Sequence, residues 1–195
     1  MYKKFTLFII LTLLLIGSPS FAASEEGGKY TATMQVFRDS DAVKRFFDDC
    51  YAYALFPTIG KAGFWIGGSY GKGWVYRNGE ITGRVSVIEG SIGFQFGGKA
   101  FSEIIFFQDK RAYDEFISGS FEFDATVQAT VVTAGAGAQA GSTGGTAEAT
   151  AGPKTGVQAS TNYYKGIAVF VHSKGGLMIE ASVGGQKFSF TPLTN

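Results

Sequence analysis

The chain has 195 residues, 45% of them hydrophobic and 15% aromatic, enough for one domain with a substantial core. Its formal charge is +1, with 17 basic and 16 acidic residues, so bulk charge argues against a nucleic-acid partner. One cysteine and one histidine exclude an internal disulfide and a zinc site.

Met1 to Lys4 is a basic start, Phe5 to Ile16 is nearly all apolar, and Ser20-Phe21-Ala22 places small residues where a peptidase cuts. This pattern predicts a secretory signal peptide over 1–22, because the apolar run is about 12 residues against the roughly 20 that span a bilayer. Export to the periplasm or beyond is the expected localisation. Without Lys3 and Lys4 the 17 basic residues become 15 against 16 acidic, a charge of −1. Cys50 is then a lone thiol, expected to be buried.

Residues 23–39 read as a linker, polar and glycine-containing at Ser24 to Tyr30, and 40–195 as a single domain. A helix is predicted over Asp41 to Leu55, since Ala42, Val43, Phe46, Phe47, Cys50, Tyr51 and Ala54 recur at helical spacing and Phe56-Pro57 stops the run. From Lys61 to Gly98 glycine alternates with aromatic and β-branched residues. Phe64, Ile66, Tyr70, Trp74 and Tyr76 share one face of an extended chain, and Asn78-Gly79 supplies a type I′ hairpin turn. On the return Ile81, Val85 and Val87 hold odd positions and Ile92, Phe94 and Phe96 even ones, which predicts a bulge near Gly90. So many strand glycines suit a sharply bent sheet.

Phe101 to Phe107 is a further strand, Asp109 caps a short helix that ends at Gly119, and Phe121 to Thr133 alternates as a strand. Residues 134–152 are a Gly/Ala/Ser/Thr insertion. Val157 to Val171, Leu177 to Val183 and Phe188 to Phe190, with turns at Lys174-Gly175-Gly176 and Gly184-Gly185, close the structure as hairpins. The expected fold is α+β, a strongly curved antiparallel sheet, barrel- or sandwich-like, with an N-terminal helix and a short second helix on it.

No catalytic set emerges. Gly67-Gly68-Ser69-Tyr70-Gly71 matches the hydrolase pattern G-x-S-x-G, but that motif works at a strand-to-helix turn and here it continues as strand. No phosphate loop, dinucleotide fingerprint or converging carboxylates appear, so no cofactor or metal is expected and the chain reads as a binding protein rather than an enzyme.

Phe56-Pro57, Lys61-Ala62-Gly63-Phe64-Trp65-Ile66-Gly67-Gly68, Gly71-Lys72-Gly73, Gly90 to Gly97 and Ser173-Lys174-Gly175-Gly176-Leu177 to Gly184-Gly185 together resemble the SYLF domain, a lipid-binding family, over about Asp41 to Phe190. The resemblance implies binding of an anionic lipid or membrane surface, and actin binding only by analogy with some eukaryotic members. Gly83-Arg84-Val85-Ser86 departs from a tryptophan-centred segment in those members. Charge segregation agrees with a lipid surface: Lys61, Lys72, Arg77, Arg84 and Lys99 face only Glu80 and Glu89 between Gly60 and Phe101. With Trp65 and Trp74 these five form the candidate lipid-binding set, since basic and aromatic side chains suit an anionic headgroup region. The competing expectations are that both tryptophans fill the core and that the chain is a protein-interaction or structural envelope protein.

Overall fold

The computed structural model describes residues 19–63, 66–92, 99–119, 121–124, 127, 129–132, 162–174 and 183–193. Helices α1 (Pro19–Arg38) and α2 (Lys44–Asp49) precede strands β1 (Ala52–Gly63), β2 (Ile66–Arg77), β3 (Glu80–Ile92) and β4 (Lys99–Phe107). Helix α3 (Lys110–Ile117), β5 (Phe121–Glu122), β6 (Thr130–Val132), β7 (Ile167–Lys174) and β8 (Lys187–Pro192) follow. The eight strands form one sheet in the order β5-β8-β3-β2-β1-β4-β7-β6. All pairings are antiparallel except β6 with β7, which is parallel, so the sheet is mixed. It curls into a half-barrel, the strongly curved α+β arrangement expected from the glycine-rich sequence.

The curl is visible in the contacts across its hollow. Phe188 on β8 and Phe56 on β1 are separated by three strand steps, about 14 Å in a flat sheet, yet their ring centroids lie 5.8 Å apart. Glycine makes this possible on the concave side. A Cβ at Gly73 would lie 2.7 Å from the Leu55 carbonyl oxygen and from the Phe56 ring, and one at Gly83 would lie 2.3 Å from the Phe190 ring. Missing side chains are thus replaced by neighbouring rings leaning over the strands.

Both faces of the sheet are buried. The concave core holds Phe56, Ile59, Val85, Val87, Phe101, Ile105, Phe107 and Phe188, closed by Tyr113 and Phe116 of α3 and by Phe123 and Val183. The convex core holds Tyr53, Leu55, Tyr76, Ile104, Phe106 and Phe170 beneath Tyr30 and Phe37 of α1 and Phe46 of α2. Two-sided burial gives Ala52 to Phe56 an unbroken apolar run, which explains why helical spacing misreads it. The predicted Asp41–Leu55 helix is therefore only α2, and Phe56-Pro57 does not end a helix but lies within β1. Register slips there, Leu55 facing Trp74 and Thr58 facing Lys72, so Pro57 occupies a bulge and needs no ladder donor. The Ser102 hydroxyl donates to the Pro57 carbonyl at 2.9 Å and fixes the bulge.

Residues 24–30, read as linker, belong to α1. Tyr30, Thr33 and Phe37 recur at helical spacing and are buried, and the two glycines at 27 and 28 masked that stripe. The Asn78-Gly79 turn forms as expected, with φ of 53° and 81°, and Arg77 pairs with Glu80. The bulge expected near Gly90 is instead at Thr82, between the Val75–Gly83 and Tyr76–Ile81 pairs, and the β3 ladder runs unbroken past Gly90. Ile81 consequently faces the convex side while Val85 and Val87 face the concave one. The Asp109 cap is present, its carboxylate accepting from the Ala112 amide at 2.8 Å. Of the Phe121–Thr133 strand only β5 and β6 form among the described residues. The 134–152 insertion and the Leu177–Ser182 part of the predicted closing strand lie outside the described residues.

Gly73→Ala and Gly83→Ala should each cost about 1–3 kcal/mol of unfolding free energy, through overpacking of the concave face. Gly60→Ala, where nothing lies within 4 Å of the added Cβ, should stay within about 0.5 kcal/mol of the parent. Urea denaturation of the three variants checks both expectations.

Candidate functional site: the uncovered end of the convex face

Strand alternation and register set convex-facing residues in rows across the sheet. One row, Thr191, Arg84, Trp74, Leu55, Ile104 and Phe170, begins exposed and ends beneath the helices. Tyr30 of α1 stacks on Trp74 with centroids 3.8 Å apart and planes 7° from parallel. Trp74 is thus half-buried as the seat of a helix, and burial pushes the Tyr30 phenol above its ordinary range. Arg84, exposed beside this stack, acts on Tyr30 against Glu26 of α1.

Farther along the strands the convex-facing side chains Thr58, Lys72, Tyr70 and Ile88 are exposed. The next row contains Ser189, Ser86, Lys72 and Thr58, and the one after it Lys187, Ile88, Tyr70, Gly60 and Ala100 with Lys174 at the far end. Tyr70 and Ile88 are direct cross-strand partners and are 52% and 54% exposed, two of the four most exposed large apolar side chains described. Gly60 and Gly90 flank them without side chains, leaving a smooth strip of backbone from which the two apolar groups project. Basic side chains ring it. Lys174 Nζ donates to Thr58 Oγ1 at 3.0 Å, directly opposite Lys72 in the ladder. Burial, and then Lys29 of α1, lower the Lys174 pKa. Lys187 is paired with Glu122 at 3.3 Å and Lys29 with Glu25 at 3.4 Å, whereas no carboxylate among the described residues lies within salt-bridge reach of Lys72, Arg84 or Lys174.

The sequence candidates therefore divide. Lys72, Arg84 and Trp74 share the convex face. Lys61 and Arg77 face the concave side: Lys61 Nζ is 3.0 Å from Glu89 Oε1 with both side chains largely buried, and Arg77 stands over the Tyr113 ring of α3 at 6.0 Å. The backbone of Lys99 pairs with Lys61, but its side chain, like the whole of Trp65, lies outside the described residues. Sequence reading missed Tyr70, Ile88, Lys174 and Lys187 as members of one surface. The period-2 alternation of β2 could have marked Tyr70, but only strand order brings β8 and β7 to the two ends of its row.

The hydrolase-like serine is in mid-strand, as its sequence context suggested. Ser69 Oγ is buried and donates to Glu89 Oε2 at 2.9 Å. His172 is half-buried, its Nδ1 3.2 Å from the Val132 carbonyl. Cys50 is half-buried in a helix-to-strand turn, and burial pushes its thiol up to about 11, leaving little thiolate for nucleophilic work. Among the described residues no group of His, Cys, Asp and Glu is arranged to hold a metal, and no helix is long and apolar enough to cross a membrane. The surface joins apolar protrusions to cations that have no carboxylate partner among the described residues.

No protein-family model matches the sequence. The chain is 26% identical over 161 residues to beta cell expansion factor A of Aeromonas veronii. That similarity covers 81% of this chain and 52% of the relative, so the chain spans about half the length of the curated protein it matches. The link is a distant one.

Because the Tyr30–Trp74 stack fastens α1 over the convex face, Tyr30→Ala should cost about 2–4 kcal/mol, as truncation of a buried aromatic does. Hydrogen exchange should show α1 amides losing protection while the β1–β4 ladder keeps it.

Proposed function

We propose that this chain is a non-catalytic binder of anionic lipid, acting at a membrane surface of the bacterial envelope after export, and that it belongs with the SYLF lipid-binding proteins. One observation carries the reading: Tyr70 and Ile88 protrude from an uncovered end of the convex face between Lys72, Arg84 and Lys174. Apolar side chains beside cations match the interface of an anionic bilayer, where each lysine or arginine contributes roughly 1 kcal/mol and a buried aliphatic side chain roughly 1.5–3 kcal/mol. The motifs shared with the SYLF pattern support the same ligand class. The name of the Aeromonas relative describes an effect on beta cells and no ligand.

Flotation with vesicles rich in phosphatidylglycerol tests the reading against neutral phosphatidylcholine. Binding is expected to need the anionic lipid and to weaken as salt screens the surface. Lys72→Glu with Arg84→Glu should weaken it about tenfold or more, and Tyr70→Ser with Ile88→Ser should do the same without loss of fold. Arg77→Glu, on the opposite face, should leave it unchanged. Equal recovery with both vesicle types, or no response to the convex-face variants, would instead make this patch a protein-docking surface.

A further inference from the structure

Glu103 is fully buried in the concave core, between Phe101 and Ile105 along β4, with Phe56 of β1 and Val171 of β7 as its ladder partners. Gln186, also fully buried, donates from Nε2 to Glu103 Oε2 at 3.1 Å. Two oxygens are left over: Glu103 Oε1 and Gln186 Oε1 both lack a hydrogen-bond partner. A carboxylate in this place would be served by one neutral donor. Lys61 of β1, on the same face, is held by Glu89 of β3, whose other oxygen accepts from Ser69 of β2. Glu89 itself opposes a second negative charge. From β7 the facing group is Val171, and from the turn before β8 it is Gln186. A buried anion so poorly compensated is strongly disfavoured.

One proton removes the conflict. A hydrogen on Glu103 Oε1 makes that atom a donor, and Gln186 Oε1, the orphaned acceptor on the same amide that donates to Oε2, would take it to close a cyclic acid–amide pair. We infer that Glu103 is a neutral carboxylic acid in the folded protein, locked to Gln186 as an acid–amide latch that makes closure of the concave core proton-dependent. Burial raises the Glu103 pKa to about 8, with the Gln186 hydrogen bond opposing and Glu89 reinforcing the rise.

What the latch holds is the lid of the half-barrel. The Gln186 carbonyl accepts from the Phe123 amide at 2.9 Å, the Phe123 carbonyl accepts from Gly185 at 3.0 Å, and Gln186 N–H donates to Val183 at 3.2 Å. Phe123, Val183 and Phe188 are buried on the concave core around this knot. The sign follows from proton counting. Between the ordinary glutamate value of 4.5 and about 8, the native state keeps a proton that the unfolded chain has released. Stability contributed by Glu103 is therefore greatest below this window, falls as pH rises through it, and levels off above.

The test compares the melting temperature of the wild type with that of Glu103→Gln at intervals across that window. The added amide keeps both hydrogen bonds without needing a proton. The variant should therefore gain on the wild type as pH rises, by on the order of 10 °C at the upper end, while the two converge at the acid end. Exchange of the Phe123 and Gly185 amides, corrected for intrinsic rates, should accelerate with pH in the wild type alone. A constant difference between the two proteins across the window would overturn the latch. Should Glu103→Gln fail to fold, the carboxyl carbon of Glu103 followed by NMR in the wild type decides: titration near the top of the window supports the inference, and titration near 4.5 refutes it.

Discussion

Everything in this molecule depends on a sheet that bends because side chains are missing from the middle of its concave face. Gly71, Gly73 and Gly83 occupy positions where a Cβ would strike Ile59, Phe56 or Phe190. Each glycine costs strand stability on its own, yet its neighbour's ring gains a place over the bare backbone. The exchange shortens the distance across the hollow until Phe188 meets Phe56 and Phe116 and Gln186 reaches Glu103. A small chain acquires a two-sided aromatic core in this way. Edge-on ring pairs, such as Phe47 with Phe106 at 4.9 Å, recur on both faces, and such pairs add to simple burial.

Curvature also decides what remains outside. Helices α1 and α2 pack over the rows near Tyr53, Leu55 and Trp74, whereas Lys72, Tyr70 and Ile88 farther along the strands are exposed. The exposed strip is the part of the convex face on which Tyr70 and Ile88 stand out. On the concave side the same bending has the reverse effect. Polar groups there are drawn into enclosure, where Lys61, Glu89 and Ser69 compensate one another and Glu103 does not find a cation.

Local signals in the chain were sufficient for much of this. Asn78-Gly79 specifies its turn, since both residues tolerate positive φ. Asp109 specifies the start of α3 through a hydrogen bond three residues long, and the glycine-aromatic alternation specifies a bent sheet. Where these signals are double-edged, reading failed. Ala52 to Phe56 is apolar on both faces, and neither helix nor strand periodicity can be told from such a run. Gly27 and Gly28 depress helix propensity, but the burial of Tyr30 and Phe37 against the sheet outweighs them.

The amino-acid sequence by itself determined the class of the fold, the hairpin turn, the short capped helix and the mid-strand place of Ser69, because each depends on residues within a few positions of one another. Only the tertiary structure decided which cations share a surface. Arg77 and Lys72 are neighbours in the chain, but the alternation of β2 sends them to opposite faces, while Lys174 and Lys72, far apart in sequence, meet at Thr58 through strand order. Strand order arises from long-range burial of apolar faces, and no short stretch of sequence encodes it.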